Sequence, residues 1–128
     1  MPTKLAARTT YEVFTDHLHL REEGQIAEDI ARNYAEDAVL LTGYGIFSGH
    51  DGIRASAELL DQQLQGARYM YRSRLVHGKI AFLEWEAGGH RMYVSNGADS
   101  YFIENGLIRV QTIHYTLLSA PCEGPGER

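Results

Sequence analysis

The feature that most restricts this chain is a change of hydrophobic period at Ala67. Before it, apolar residues recur every three to four positions; after it, they alternate, and the two patterns cannot belong to one kind of element. "TTYEVFTDHLHLREEG" places Tyr11, Phe14 and Leu18 on one helical stripe, with Thr9 or Thr10 as cap, Glu12 near the third helical position and Gly24 as a stop. A second helix, about 25–34, aligns Ile26, Ile30 and Tyr34. "DAVLLT" reads as a short buried strand and "GYGIFSGHDG" as a loop with at most two or three residues of strand. "GIRASAELLDQQLQG" is a third helix that aligns Ile53, Ala57 and Leu60. The His50-Asp51 pair ahead of it fits a helix start, where capping accounts for it.

Beyond Ala67, "ARYMYRSRLVHG", "KIAFLEWEAGG", "HRMYVSNGADSYFIE" and "GLIRVQTIHYTLLS" read as four long strands. Tight turns at Gly78, Gly88-Gly89 and Asn105-Gly106 join them into an antiparallel meander. Helices gathered against one face of such a sheet make an α+β domain. The last strand is apolar on both faces, Leu107, Ile113 and Tyr115 on one and Ile108, Val110 and Leu118 on the other. A sheet apolar on both faces needs two covers. The helices supply one, and a second subunit is the expected other, so a homodimer through the outer sheet face is predicted.

The 128 residues suffice for one core, so a single domain is expected over 9–119, between a flexible N-terminus (1–8) and a Pro/Gly-rich tail (120–128) that holds the lone Cys122. A formal charge of −5 disfavours nucleic acid and anionic membranes as partners. No apolar run reaches the roughly 18 residues of a membrane span, and "MPTKLAARTT" has no apolar signal core, so a cytoplasmic protein is expected. Neither a helical His pair nor a Gly-rich phosphate loop appears, so no metal and no organic cofactor is expected.

Two segments carry a resemblance. "NYAEDAVLLTGYGIFSGHDGIRA" resembles the helix-strand-loop-helix signature of the nuclear transport factor 2-like superfamily, in its SnoaL-like and ketosteroid isomerase-like branch. "GADSYFIENGLIRVQTIHY" is similar to that superfamily's final hairpin. Together the likeness spans roughly 9–118. It implies a cone, a curved antiparallel sheet wrapped around three N-terminal helices (a cystatin-like α+β barrel), with a pocket inside. Members include ketosteroid isomerases, SnoaL-like polyketide cyclases, limonene epoxide hydrolases, dehydratases and non-catalytic binding domains, so chemistry must be argued from the site.

The resemblance sets Asp99 where ketosteroid isomerases hold a protonated Asp, a case known for an apolar site that keeps a carboxylic acid neutral. Alternation alone puts Asp99 on the inward face with Tyr101 and Ile103, where desolvation disfavours its charged form. His17, seven residues before Gly24, stands where those isomerases resemble it with a catalytic Tyr, and a His beside a buried Asp makes an acid/base pair. Asp99 and His17 are therefore the expected catalytic pair. Thr42 occupies the position of the isomerases' general base and cannot act as one, which disfavours steroid isomerisation. Trp85, Ala87 and Ile113 stand where the Arg and two Asp of limonene epoxide hydrolases would be, which disfavours that reaction too.

Around the pair, Tyr115, Gln111, Tyr101, Trp85, Tyr34, Thr42, Phe14 and Leu40 are the expected substrate-binding residues. The inward place of Gln111 and Tyr115 requires one bulge after Ile108; without it, Thr112 and His114 would face in. The expected ligand is a small hydrophobic molecule. Two functions follow: a cofactor-independent enzyme doing acid/base chemistry on a hydrophobic carbonyl compound (isomerase, cyclase or lyase), or a dimeric domain that binds a hydrophobic ligand or partner protein without catalysis.

Overall fold

The computed structural model describes residues 7–119. The elements run α1 (Thr10–Glu22), α2 (Ile26–Asn33), β1 (Tyr34–Thr42), β2 (Gly45–Ser48), α3 (Gly49–Gln63), β3 (Arg68–His77), β4 (Ile80–Gly88), β5 (Met92–Glu104), β6 (Leu107–His114) and a short β7 (Leu118–Ser119). The expected tail and residues 1–6 of the expected flexible N-terminus lie outside the described residues. Residue 8 does not behave as a loose end. Arg8 reaches the Asn33 side chain and the carbonyls of Arg32 and Gly106 at 2.8–3.0 Å, tying the start of the domain to the β5–β6 turn.

α1 begins with a complete capping box. Thr9 Oγ1 accepts the Glu12 N–H at 3.1 Å, and Glu12 Oε1 accepts the Thr9 N–H at 2.8 Å. α3 starts earlier than its apolar period indicates, at Gly49, so His50 lies in its first turn. Rather than capping the helix, His50 donates from Nε2 to the Tyr34 carbonyl at 2.9 Å and fastens α3 to the start of β1.

The strand order is β2-β1-β6-β5-β4-β3, and β2 and β3 do not meet, so the sheet is curved but unclosed. Within it β3, β4, β5 and β6 form the expected antiparallel meander. The departure from an all-antiparallel sheet is β1. It pairs parallel with β6, because the chain leaves β1 through β2 and α3 and re-enters the sheet only at β3. β1 is also longer than "DAVLLT", since pairing with β6 from Tyr34 onward extends it.

The β5–β6 hairpin turns at Asn105 (φ 53°) and Gly106 (φ 76°), the left-handed pair that a two-residue connection favours. Ile103 faces Ile108, but Phe102 faces Val110, so Arg109 is an extra residue. That bulge sets the register of the whole site: Gln111 comes opposite Tyr101 and Ile113 opposite Asp99. Two further bulges, in the β3–β4 and β4–β5 ladders, bend the sheet around α1. The core between them holds Phe14, Ile30, Leu40, Ile53, Ile103 and Ile108, each nearly inaccessible. Burial at this level stabilises by about 1.5–3 kcal/mol per side chain.

Candidate functional site

Between the concave face of the sheet and the helices lies a cavity of about 680 Å³. Its inner end is polar, formed by His17, Arg21, Tyr34, Asp99, Tyr101 and Gln111. Its outer part is lined by α3 (Ile53, Ala57, Leu60) and by Tyr69, Met70 and Tyr71 of β3.

Asp99 is buried, with 7% of its surface accessible, and accepts three hydrogen bonds. Trp85 Nε1–H reaches Oδ1 at 2.9 Å, while the Tyr101 hydroxyl (3.0 Å) and Gln111 Nε2–H (3.1 Å) reach Oδ2. Burial pushes the Asp99 carboxyl above the usual carboxylate range, and the three donors and the His17 charge oppose this only in part. Gln111 is held in turn by the Tyr34 hydroxyl, which donates to its Oε1 at 2.5 Å.

His17 does not touch Asp99. Tyr101 stands between them, its hydroxyl 3.0 Å from His17 Nε2. The carboxylate that orients His17 is Asp29, on α2, at 2.8 Å from Nδ1. Asp29 is wholly buried and also accepts Arg21 Nε–H at 2.7 Å and Asn33 Nδ2–H at 2.8 Å. Burial alone would raise its carboxyl, but His17, Arg21 and Asn33 together hold it down at about 2. The same Asp29 keeps Arg21 firmly protonated against the cost of burial. The Tyr101 phenol is pushed well above its ordinary range by burial and by the neighbouring Asp99.

The expected His17–Asp99 pair is thus a chain of four groups, Asp29–His17–Tyr101–Asp99. Tyr101 has one proton to give, and this permits two arrangements of equal total charge. In one, His17 is an imidazolium donating to Asp29 and Tyr101, and Tyr101 donates to an ionised Asp99. In the other, Asp99 is a carboxylic acid donating to Tyr101, and Tyr101 donates to a neutral His17. Moving two protons along the chain interconverts them, switching Asp99 from acceptor to donor in its bond with Tyr101 and between an ionised and a neutral group at the cavity wall.

The remaining expected residues divide. Leu40, Trp85, Tyr34, Tyr101 and Gln111 line the cavity. Phe14 does not: it packs behind Tyr101, ring centroids 5.3 Å apart, and holds that phenol forward. Tyr115 stands against the indole of Trp85 at 5.8 Å and gives its hydroxyl proton to Gln63, so it braces a wall. Thr42 lies past the lining at the end of β1, where its Oγ1 accepts the Tyr44 N–H in the turn to β2. Asp29 and Arg21 were missed in the sequence, although a signal was present. Arg21 follows His17 by one helical turn, and Asp29 lies on the inward stripe between Ile26 and Asn33. Among the described residues no group of three His, Cys, Asp or Glu side chains is placed to hold a metal ion.

Trp85 owes its position to Gly97, its cross-strand partner on β5. A Cβ at residue 97 would collide with the indole ring. Gly97→Ala is therefore expected to cost about 1–3 kcal/mol by overpacking and to shift the fluorescence of the chain's single tryptophan as its N–H leaves Asp99. Unchanged emission and stability would show that Gly97 does not set the indole.

Comparison with known proteins agrees with this architecture. Solved structures of similar fold include a candidate ketosteroid isomerase from Kribbella flavida DSM 17836 (16% identity over 90% of this chain and 83% of that one, TM-score 0.69). A candidate SnoaL-like polyketide cyclase from Mesorhizobium loti (16%, 84% and 100%, TM-score 0.63) is another. A third is TerC co-crystallised with polyporic acid (17%, 84% and 91%, TM-score 0.67). At these identities the likeness is one of fold. Curated proteins give no match. The family model for the SnoaL-like domain matches residues 14–111, most of the chain and every residue of the four-group relay, and the chain belongs to that family.

Proposed function

We propose that this protein is a cofactor-independent acid/base enzyme acting on a hydrophobic carbonyl compound held in the cavity. The observation that carries this is the Asp29–His17–Tyr101–Asp99 chain ending at the cavity wall. Asp99 in its ionised form takes a proton from the carbon next to the carbonyl, giving an enolate and a carboxylic acid. The same acid returns the proton to another carbon, or to the enolate oxygen, and Asp99 is ionised again. His17, through Tyr101, adjusts the proton affinity of Asp99 at each stage, and Asp29 fixes the His17 ring. Trp85 and Tyr69, with rings 5.6 Å apart and tilted by 43°, supply an aromatic wall for the substrate.

The test is deuterium uptake from heavy water into a panel of cyclic aromatic ketones such as 2-tetralone, followed by NMR. Wild type is expected to accelerate exchange for at least one of them. Tyr101→Phe, which cuts the relay and leaves Asp99 in place, is expected to reduce that rate about 10²–10⁴-fold, the range of a lost acid/base contribution. Acceleration that survives in Tyr101→Phe would remove the relay from the mechanism. The polar groups of the inner end are already bonded to one another, and this favours a second reading, a binding domain that holds its ligand unchanged. Tight ligand binding with no exchange in any panel member would select it.

A homodimer belongs to the same reading. On the outer sheet face the register sets Leu75, Phe82, Ser100, Thr112, Leu41 and Ile46 in one row across six strands, with Ile80, Phe102, Val110 and Val39 beside it. Ile80 is 50% and Ile46 74% exposed, and the surface is largely apolar, interrupted by Ser100 and Thr112, of the kind that marks an interface. Ile80→Glu is expected to convert a dimer into a monomer in sedimentation analysis at micromolar concentration. A wild-type monomer there would overturn the dimer.

A further inference from the structure

The polar groups at the inner end of the cavity are hydrogen-bonded to one another, but Arg21 keeps donors to spare. Arg21 gives its Nε–H to Asp29 and has the Tyr34 hydroxyl against its guanidinium as a second polar partner; the described residues offer Nη1 and Nη2 no further hydrogen bond. The side chain is only 22% exposed and belongs to the lining of the cavity. A permanent cation with donors to spare therefore lines a chamber walled by Tyr34, Tyr71 and Leu83. Such donors stay unpaired only if water or a ligand oxygen takes them.

Asp29 is immobile, wholly buried and bonded also to His17 and Asn33, so the Nε contact pins the plane of the guanidinium. A pinned guanidinium whose terminal nitrogens have only the Tyr34 hydroxyl beside them can still meet the two oxygens of a carboxylate, and it loses little side-chain freedom on binding. The other basic residue of the lining, Arg68, is exposed at the mouth. The cavity volume, about 680 Å³, admits a compound of two or three fused rings.

We propose that the ligand is an aromatic acid whose carboxylate is gripped by Nη1 and Nη2 of Arg21, with its planar body along the tyrosine-rich wall. The placing of its reactive carbon at Asp99 rests on the acid/base reading above; the grip of Arg21 does not.

The experiment is calorimetric titration at pH 7 with 2-naphthoate and with its neutral analogue 2-naphthamide. Wild type is expected to bind the acid at least about tenfold more tightly than the amide, the scale of one charge-assisted contact. Arg21→Met is expected to reduce that preference below about threefold, and Arg21→Lys, which keeps the charge but not the fork, to lie between. Should Arg21→Met fail to fold, the wild-type comparison and Arg21→Lys decide. Equal affinities in wild type, or no binding of 2-naphthoate at millimolar concentration, overturn the proposal. So does loss of the preference in Arg68→Gln in place of the Arg21 variants, since the acid then sits at the mouth. Asp99→Asn separates the two readings: it is expected to keep the preference for the acid while abolishing deuterium exchange.

Discussion

Asp29→Asn is expected to produce the largest loss of stability of any conservative change in this protein, about 3–5 kcal/mol, the cost of breaking a buried ion pair by removing one partner. A carboxamide nitrogen at the Oδ2 position would confront two donors, His17 Nδ1–H and Arg21 Nε–H. A carboxamide oxygen there would instead turn its nitrogen toward the donor of Asn33. Either way the Arg21 cation loses its counter-charge at a site with no accessible surface on residue 29. For a domain of this size the expected fall in Tm is about 10–20 °C. In wild type the same contribution disappears on acidification. Because the folded state holds Asp29 at about 2, its stabilisation is present above the unfolded value near 4 and is lost as pH falls toward 2. A variant within about 1 kcal/mol of wild type at pH 7 would show that Asp29 does not organise the site.

How legible this was in the sequence differs between fold and site. The change of period at Ala67, the Thr9–Glu12 capping box and the Asn105-Gly106 turn are local signals, and each became the element that its residues favour. The parallel pairing of β1 with β6 depends on contacts between residues as distant in the chain as Tyr34 and Ile108, and no local pattern encodes it. The bulge that turns Gln111 inward falls at Arg109, directly after Ile108 as expected, although alternation alone left the unbulged register equally open. Within the site, Asp99 could be read because an acid on an apolar face breaks an otherwise regular strand. Its link to His17 through Tyr101 could not, since the three groups come from one helix and one strand and meet only through the sheet's curvature. Tyr101 is an ordinary aromatic in an alternating pattern, and its hydroxyl position, which decides the chemistry, has no sequence signature. Arg21 lies in the last turn of α1, where basic residues are ordinary, and nothing local in the sequence sets it in the cavity lining.

Asp99→Asn is the second change with a large expected effect, on rate rather than on folding. The carboxamide introduced at position 99 accepts the Trp85 N–H on its oxygen and donates from its nitrogen to the Tyr101 oxygen. Tyr101 is then left donating to a neutral His17. This copies the arrangement in which Asp99 is protonated and freezes it there. Any exchange activity is expected to fall about 10²–10⁴-fold, because the group that gains and loses the substrate proton is gone. The one hydrogen bond lost is that from Gln111 Nε2, which finds a nitrogen where Oδ2 was, at a cost of about 1 kcal/mol. Stability then supplies an independent check through its pH dependence. Burial raises the folded-state pKa of Asp99, so its favourable contribution is complete below the unfolded value of about 4 and is lost as pH rises through the folded value. The substituted carboxamide has nothing to ionise. The variant is therefore expected to melt slightly below wild type near pH 4 and to close that gap, or reverse it, as pH rises toward 8. The Asp29 effect occupies the opposite side of pH 4 and does not obscure this trend. A difference in Tm that stays constant from pH 4 to 8 would mean that Asp99 carries no raised pKa, and the switch between donor and acceptor at the cavity wall would fall with it.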